Sequence, residues 1–128
     1  MKGRMRPGPL PRTDGTVIVS LTEFTARRRR DLPAIARDGL ALSRGWWAMP
    51  GAIGVLLYLD VIAGRGGSLS VWAAEEDLRR FIALPRHLAI MRKYSSRVTV
   101  RSATWSTERF RVAEAWTQRD ERLSTPER

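Results

Sequence analysis

The stretch AIGVLLYLDVIAGRGGSLSVWA, residues 52–73, decides how the rest of the chain is read. Pro50–Gly51 punctuates the chain just before it, and Ala52–Ile62 reads as a strand. Gly64, Gly66 and Gly67, with Arg65 between them, form a turn, so Ser68–Ala73 returns as the second strand of a hairpin. Upstream, Thr16–Phe24 alternates Val17, Val19 and Leu21 against Ile18, Ser20 and Thr22, the period-2 pattern of a further strand. Between them Asp31 can cap a helix with Pro33 in its first turn. Leu32, Ile35, Leu42 and Trp46 then share one face, and Gly45 weakens the end. Downstream, Glu75, Glu76 and Asp77 favour a helix N-terminus through the dipole, and Leu78, Phe81 and Ile82 give that helix its apolar side. Pro85 ends or kinks it. Arg86–Lys93 continues as helix with Leu88 and Met91, and Arg97–Trp105 is the last strand. The order βαββαβ predicts an α+β domain of ferredoxin-like type: a four-stranded antiparallel sheet with both helices on one face.

That domain spans residues 16–110. Residues 1–15, polar and carrying Pro7, Pro9 and Pro11, are expected to form a disordered basic tail, and 111–128 a partly disordered C-terminal extension. A chain of 128 residues has room for one modest core. Its longest apolar run, Ala52–Leu59, is far short of the roughly 20 residues a bilayer demands. No secretory signal is apparent, and a cytoplasmic location is expected. The absence of cysteine excludes disulfides, thiolate metal sites and cysteine nucleophiles. Net charge is +10, yet 21 of the 23 basic residues are arginine, and the excess is scattered along the chain. Scatter of that kind argues against nucleic acid as a partner. The one dense run, Arg27–Arg30, falls in a connection and reads as a solvated face or an anion contact.

Sorting the strands by parity separates two faces. One gathers Val17, Val19, Leu21, Ile53, Val55, Leu57, Leu59, Leu69, Val71, Val98 and Val100, which suit burial beneath the helices. The other carries Ile18, Ser20, Thr22, Phe24, Leu56, Tyr58, Asp60, Ser68, Ser70, Trp72, Thr99, Arg101, Ala103 and Trp105. Rings with a few convergent polar groups are what small-molecule pockets are made of. Exposed on a monomer, the same rings would be adhesive, so a homodimer is expected to cover them.

Within that face Trp72 and Trp105 could wall a flat hydrophobic ligand, with Ser70, Asp60 and Phe81 as further substrate contacts. His87 is the single histidine and the natural general acid or base, or else it donates to a backbone carbonyl behind Pro85. Arg101 could hold an anionic substrate oxygen or pair with Asp60, and Tyr58 could donate to a substrate oxygen. Trp46–Trp47, ahead of Met49–Pro50–Gly51, either form a lid or close the core at the end of the first helix. One histidine and no cysteine exclude a multi-histidine or structural zinc site, so no metal is expected.

Gly67–Tyr94, GSLSVWAAEEDLRRFIALPRHLAIMRKY, resembles the antibiotic-biosynthesis-monooxygenase-like families of the dimeric α/β-barrel superfamily. The likeness lies in a strand ending at Trp72, an acidic helix start at Glu75, the aromatic Phe81, and His87 about 15 residues past the tryptophan. The flanks GAIGVLLYLDV and RSATWSTERF look more like the spheroidene-monooxygenase-like branch. The resemblance implies a ferredoxin-like subunit whose sheet joins a partner's into a barrel, with a pocket between sheet and helices or inside the barrel. It further implies cofactor-free or haem-dependent oxygenation. In haem-degrading relatives the iron ligand is a histidine one turn beyond the His87 position. That place is Met91 here, so a haem, if used, would rest on His87 or Met91. The combined expectation is a small homodimeric monooxygenase-like enzyme of bacterial secondary metabolism. It would act on a hydrophobic aromatic or polyene-like substrate with His87, Arg101 and Tyr58 as its catalytic groups. Its rivals are a non-catalytic ligand- or haem-binding dimer on the same scaffold and, further off, a basic nucleic-acid binder.

Overall fold

The computed structural model of the chain describes residues 2–10 and 15–124. Its central hairpin runs from β3 (Ala52–Asp60) to β4 (Arg65–Trp72). The turn lies at Val61–Gly64, earlier than the glycine cluster suggests: the Gly64 N–H donates to the Val61 carbonyl over 3.2 Å, and Gly64 takes a φ of +73° that favours glycine. Gly66 and Gly67 instead lie within β4. A Cβ at Gly67 would strike the Thr22 carbonyl oxygen and the Tyr58 ring, so glycine there lets the neighbouring strands close around it.

Upstream lie β2 (Val17–Ala26) and α1 (Leu32–Ser43); downstream come α2 (Glu75–Ile82), α3 (Pro85–Tyr94) and β5 (Val98–Thr107). Asp31 holds the position before α1, but its side chain caps no N–H and pairs with Arg97 at 3.7 Å instead. The sheet is antiparallel throughout, and its four long strands stand in the order β3-β4-β2-β5, the ferredoxin-like arrangement. A fifth strand, β1 (Arg6–Pro7), adds to the outer edge of β3. Two short helices, α4 (Val112–Thr117) and α5 (Arg119–Ser124), follow β5. The ends expected to be disordered therefore contribute elements to the fold; the parts of those expectations at residues 1, 11–14 and 125–128 lie outside the described residues.

Two faces do form, but their membership differs from simple parity. Ala52 stands opposite Trp72, as alternation requires; then a bulge between Ala52 and Gly54 advances β3 by one residue. From there Gly54 faces Val71 and Leu56 faces Leu69, so Leu56 and Tyr58 join the aliphatic side while Val55 and Leu57 join Trp72. β5 is also reversed from its expected side: Trp105 pairs with Val19, Ala103 with Leu21 and Arg101 with Glu23.

The expected covering is reversed as well. Helices α1–α3 pack on the face of Trp72, where Trp46, Ala52, Val55, Trp72 and Leu78 form one core. The aliphatic face of Val17, Val19, Leu21, Leu56, Leu69 and Val71 is closed by Phe110, Ala115 and Leu123 from the C-terminal segment. Each large apolar side chain so buried stabilises the fold by about 1.5–3 kcal/mol. The expectation that a second copy must cover Tyr58, Trp72 and Trp105 loses its premise, because the chain covers these rings itself. Trp72 is fully buried, Tyr58 lies under Trp116, and Trp105 lies under the Arg122 guanidinium. No helix among the described residues is long and apolar enough to cross a membrane.

Candidate active site

Pro85 produces the local geometry around the single histidine. Helix α2 stops at Ile82, Leu84 is extended (φ −61°, ψ 137°), and Pro85 starts α3, where its missing N–H is no loss. The chain turns back sharply enough that His87 Nδ1 sits 3.1 Å from the Ile82 carbonyl oxygen. A carbonyl only accepts, so Nδ1 carries the proton and Nε2 of the neutral ring is the bare nitrogen. Burial pushes the imidazole pKa below its ordinary 6.5, and the bond to Ile82 opposes that shift.

The His87 ring packs against Phe81 at 4.8 Å, tilted by 58°, and Phe81 in turn lies 4.9 Å from Trp46 and 5.3 Å from Trp72. Trp46 and Trp72 meet edge to face at 5.1 Å. The polar tips of this cluster differ. Trp72 Nε1 donates to Ser70 Oγ over 2.9 Å, and Ser70 Oγ donates to the Ser20 carbonyl, which satisfies the buried Ser70 hydroxyl. Trp46, 3% exposed, buries its Nε1–H with no acceptor among the described residues. Its neighbour Trp47 is 71% exposed, so of the pair Trp46 closes the core and Trp47 does not.

Four of the expected site residues, Ser70, Trp72, Phe81 and His87, are thus on the helix-covered side. Tyr58, Arg101 and Trp105 are not with them; the sheet lies between. Arg101 does not reach Asp60, which is exposed and accepts the Ala63 N–H at 3.1 Å. Its guanidinium meets Glu23 at 2.7 Å, and Glu23 also accepts the Tyr58 hydroxyl at 2.9 Å, with Arg65 at 3.9 Å. Burial first, and then the Glu23 carboxylate, pushes the Tyr58 phenol far above its ordinary pKa. A shared site of His87, Arg101 and Tyr58 is therefore corrected to a helix-side aromatic cluster and a separate ion-paired network. Glu23, only 3% exposed, is a residue that sequence reasoning missed. Its position two residues beyond Leu21, on the aliphatic parity, was the available signal.

Among the described residues no group of three or more His, Asp or Glu side chains could hold a metal ion. The surroundings of His87 do not fit a haem. Met91, the second candidate ligand, is 42% exposed on α3, and a cavity of about 520 Å³ lies across the sheet, against Val17 and Val71. Arg27–Arg30 are exposed beside the start of α1, with the Arg27 N–H bonded to the Arg97 carbonyl.

No protein-family profile matches the chain, and no curated protein does. Solved structures do. SnoaB, a cofactor-independent oxygenase from Streptomyces nogalater, is 18% identical with a TM-score of 0.56, over 75% of this chain and 96% of that one. A putative antibiotic biosynthesis monooxygenase from Nitrosomonas europaea reaches a TM-score of 0.65 at 8% identity, over 75% and 94%. Another from Caulobacter crescentus reaches 0.61 at 12% identity, over 76% and 92%. At such identities the likeness is one of fold.

Proposed function

We propose that this chain, which shares its fold with antibiotic biosynthesis monooxygenases, is a cofactor-independent oxygenase using His87 as general base. Its substrate is a flat, hydrophobic aromatic molecule with an acidic CH2 conjugated through the ring system with a ring carbonyl. The observation that carries the reading is the half-buried imidazole with a bare Nε2, packed against Phe81 at the edge of the aromatic cluster that Phe81 forms with Trp46 and Trp72. A neutral base below its ordinary pKa is ready at pH 7, and it faces rings that suit a flat substrate. The likeness to SnoaB, a cofactor-independent oxygenase, supports the reaction class.

In this mechanism Nε2 takes the acidic proton, and the carbanion spreads its charge onto the ring carbonyl. The unpaired Trp46 Nε1–H donates to that oxygen, gaining the acceptor it lacks and stabilising the charge as it develops. The carbanion then reduces dioxygen. One oxygen atom becomes the new C=O, and the other leaves as water with the two hydrogens of the original CH2. Tyr58 and Arg101 have no part in the reaction; they hold the far side of the sheet.

Anthrone, a tricyclic ketone with an acidic CH2, is the test substrate. With chelator-treated protein in air, oxygen uptake above the buffer rate should match anthraquinone formed, one for one. An uptake no faster than buffer alone would overturn the proposal.

A further inference from the structure

We infer that the end of the sheet where the β3–β4 turn meets the β2–α1 connection is a docking surface for an anionic membrane, with Ile62 entering the bilayer. Three connections gather there: residues 27–31 before α1, 61–64 between β3 and β4, and 95–97 before β5. The backbone ties them together. The Ala26 N–H donates to the Gly64 carbonyl over 2.8 Å, and the Arg27 N–H donates to the Arg97 carbonyl over 2.9 Å. The Arg29 side chain lies against the turn, its Cγ 3.6 Å from where a Cβ on Gly64 would stand.

Charge and exposure then select the partner. Arg27, Arg28, Arg29 and Arg30 are all exposed, and none forms an ion pair among the described residues. The nearby acids are engaged: Asp31 pairs with Arg97, and Asp60 accepts the Ala63 N–H within the turn. Beside these cations Ile62 is 87% exposed, the most exposed large apolar side chain among the described residues, and its neighbour Val61 is 57% exposed. The turn does not require them, because Asp60 and Gly64, at φ +73°, already supply its chemistry. A nucleic acid would engage the arginines and leave Ile62 in water. An anionic bilayer takes both, holding guanidinium groups at its phosphates and the isoleucine at the boundary of its acyl chains. His87 sits near the other end of α3, so the surface stands apart from the oxygenase reading.

Sedimentation with lipid vesicles tests the inference. In about 0.1 M salt the chain should bind vesicles of equal parts phosphatidylglycerol and phosphatidylcholine at least about tenfold more tightly than phosphatidylcholine alone. Arg28→Gln and Arg30→Gln should each weaken that binding about fivefold. Ile62→Ser removes no charge, yet it should weaken binding about tenfold or more. The chain has no cysteine, so Ile62→Cys can carry a single environment-sensitive dye. Its emission should shift to the blue on the anionic vesicles. The same dye on Ala48→Cys, exposed just beyond the far end of α1, should not shift. Equal binding to both kinds of vesicle, wild-type binding by Ile62→Ser, or an unshifted dye at position 62 would each overturn the inference. Duplex DNA bound more tightly than the anionic vesicles, with no effect of Ile62→Ser, would assign the arginines to nucleic acid instead.

Discussion

The contact at His87 Nδ1 defines which nitrogen can act. With Nδ1–H held by Ile82, a single histidine gives a single pair of imidazole signals. Nitrogen-15 NMR should find the Nδ1-protonated tautomer at neutral pH and a titration midpoint below 6.5. The sign for stability follows: the unfolded chain takes the proton more readily, so the folded state loses stability as pH falls through 6.5 and below. On the other side of the sheet, Glu23→Ala strands the buried Tyr58 hydroxyl and releases the half-exposed Arg101 guanidinium to solvent. Denaturant unfolding should show a loss of about 1–3 kcal/mol, with the anthrone rate unchanged. The alternative role weighed for His87, a bond to a backbone carbonyl behind Pro85, was legible from sequence and is the one observed. It also leaves the ring a free nitrogen. The Trp46 orphan was not legible, since no sequence pattern reports which indole finds an acceptor.

Elements are where sequence reading succeeded in kind and failed in register. Alternation located β2, β3, β4 and β5, and the acidic run located α2. Yet one extra residue at Ala52/Gly54 exchanged the faces of β3, and parity carries no information about the offset between β5 and β2. The missed C-terminal helices had a signal too: Val112, Ala115 and Trp116 at helical spacing inside a charge-balanced tail. Trp116 joins both ends of the chain to the sheet: it meets Tyr58 edge to face at 4.9 Å, and its ring also takes the Arg119 guanidinium at 3.9 Å and the Lys2 ammonium at 5.2 Å. Trp116→Ala should lower the thermal midpoint and raise binding of a hydrophobic dye, because it loosens the cover over Leu21 and Leu56. Helices α1 and α3 are joined through Asp38, which accepts from the Tyr94 hydroxyl and the Lys93 ammonium. These bonds hold its carboxyl at about 2 against an ordinary 3.8. The advantage of wild type over Asp38→Asn should be constant above pH 5 and vanish as pH falls from about 4 to 2.

At the scale of the molecule, one sheet separates two chemistries. The helix side concentrates rings around a base; the other side carries an ion network centred on the buried Glu23 and an apolar cavity. The expectation of a single polar-aromatic pocket merged them because it assigned Tyr58, Arg101 and Trp105 to the side of Trp72. The fold class, by contrast, was readable from element order alone, since it survives a register error in any one strand. The central claim is that His87 performs the proton transfer. Its most direct test is the anthrone oxidation rate of His87→Gln, compared with wild type at pH 7.5 after circular dichroism has established equal folding. A loss of about 100-fold or more is predicted; a rate within about threefold of wild type would contradict the account.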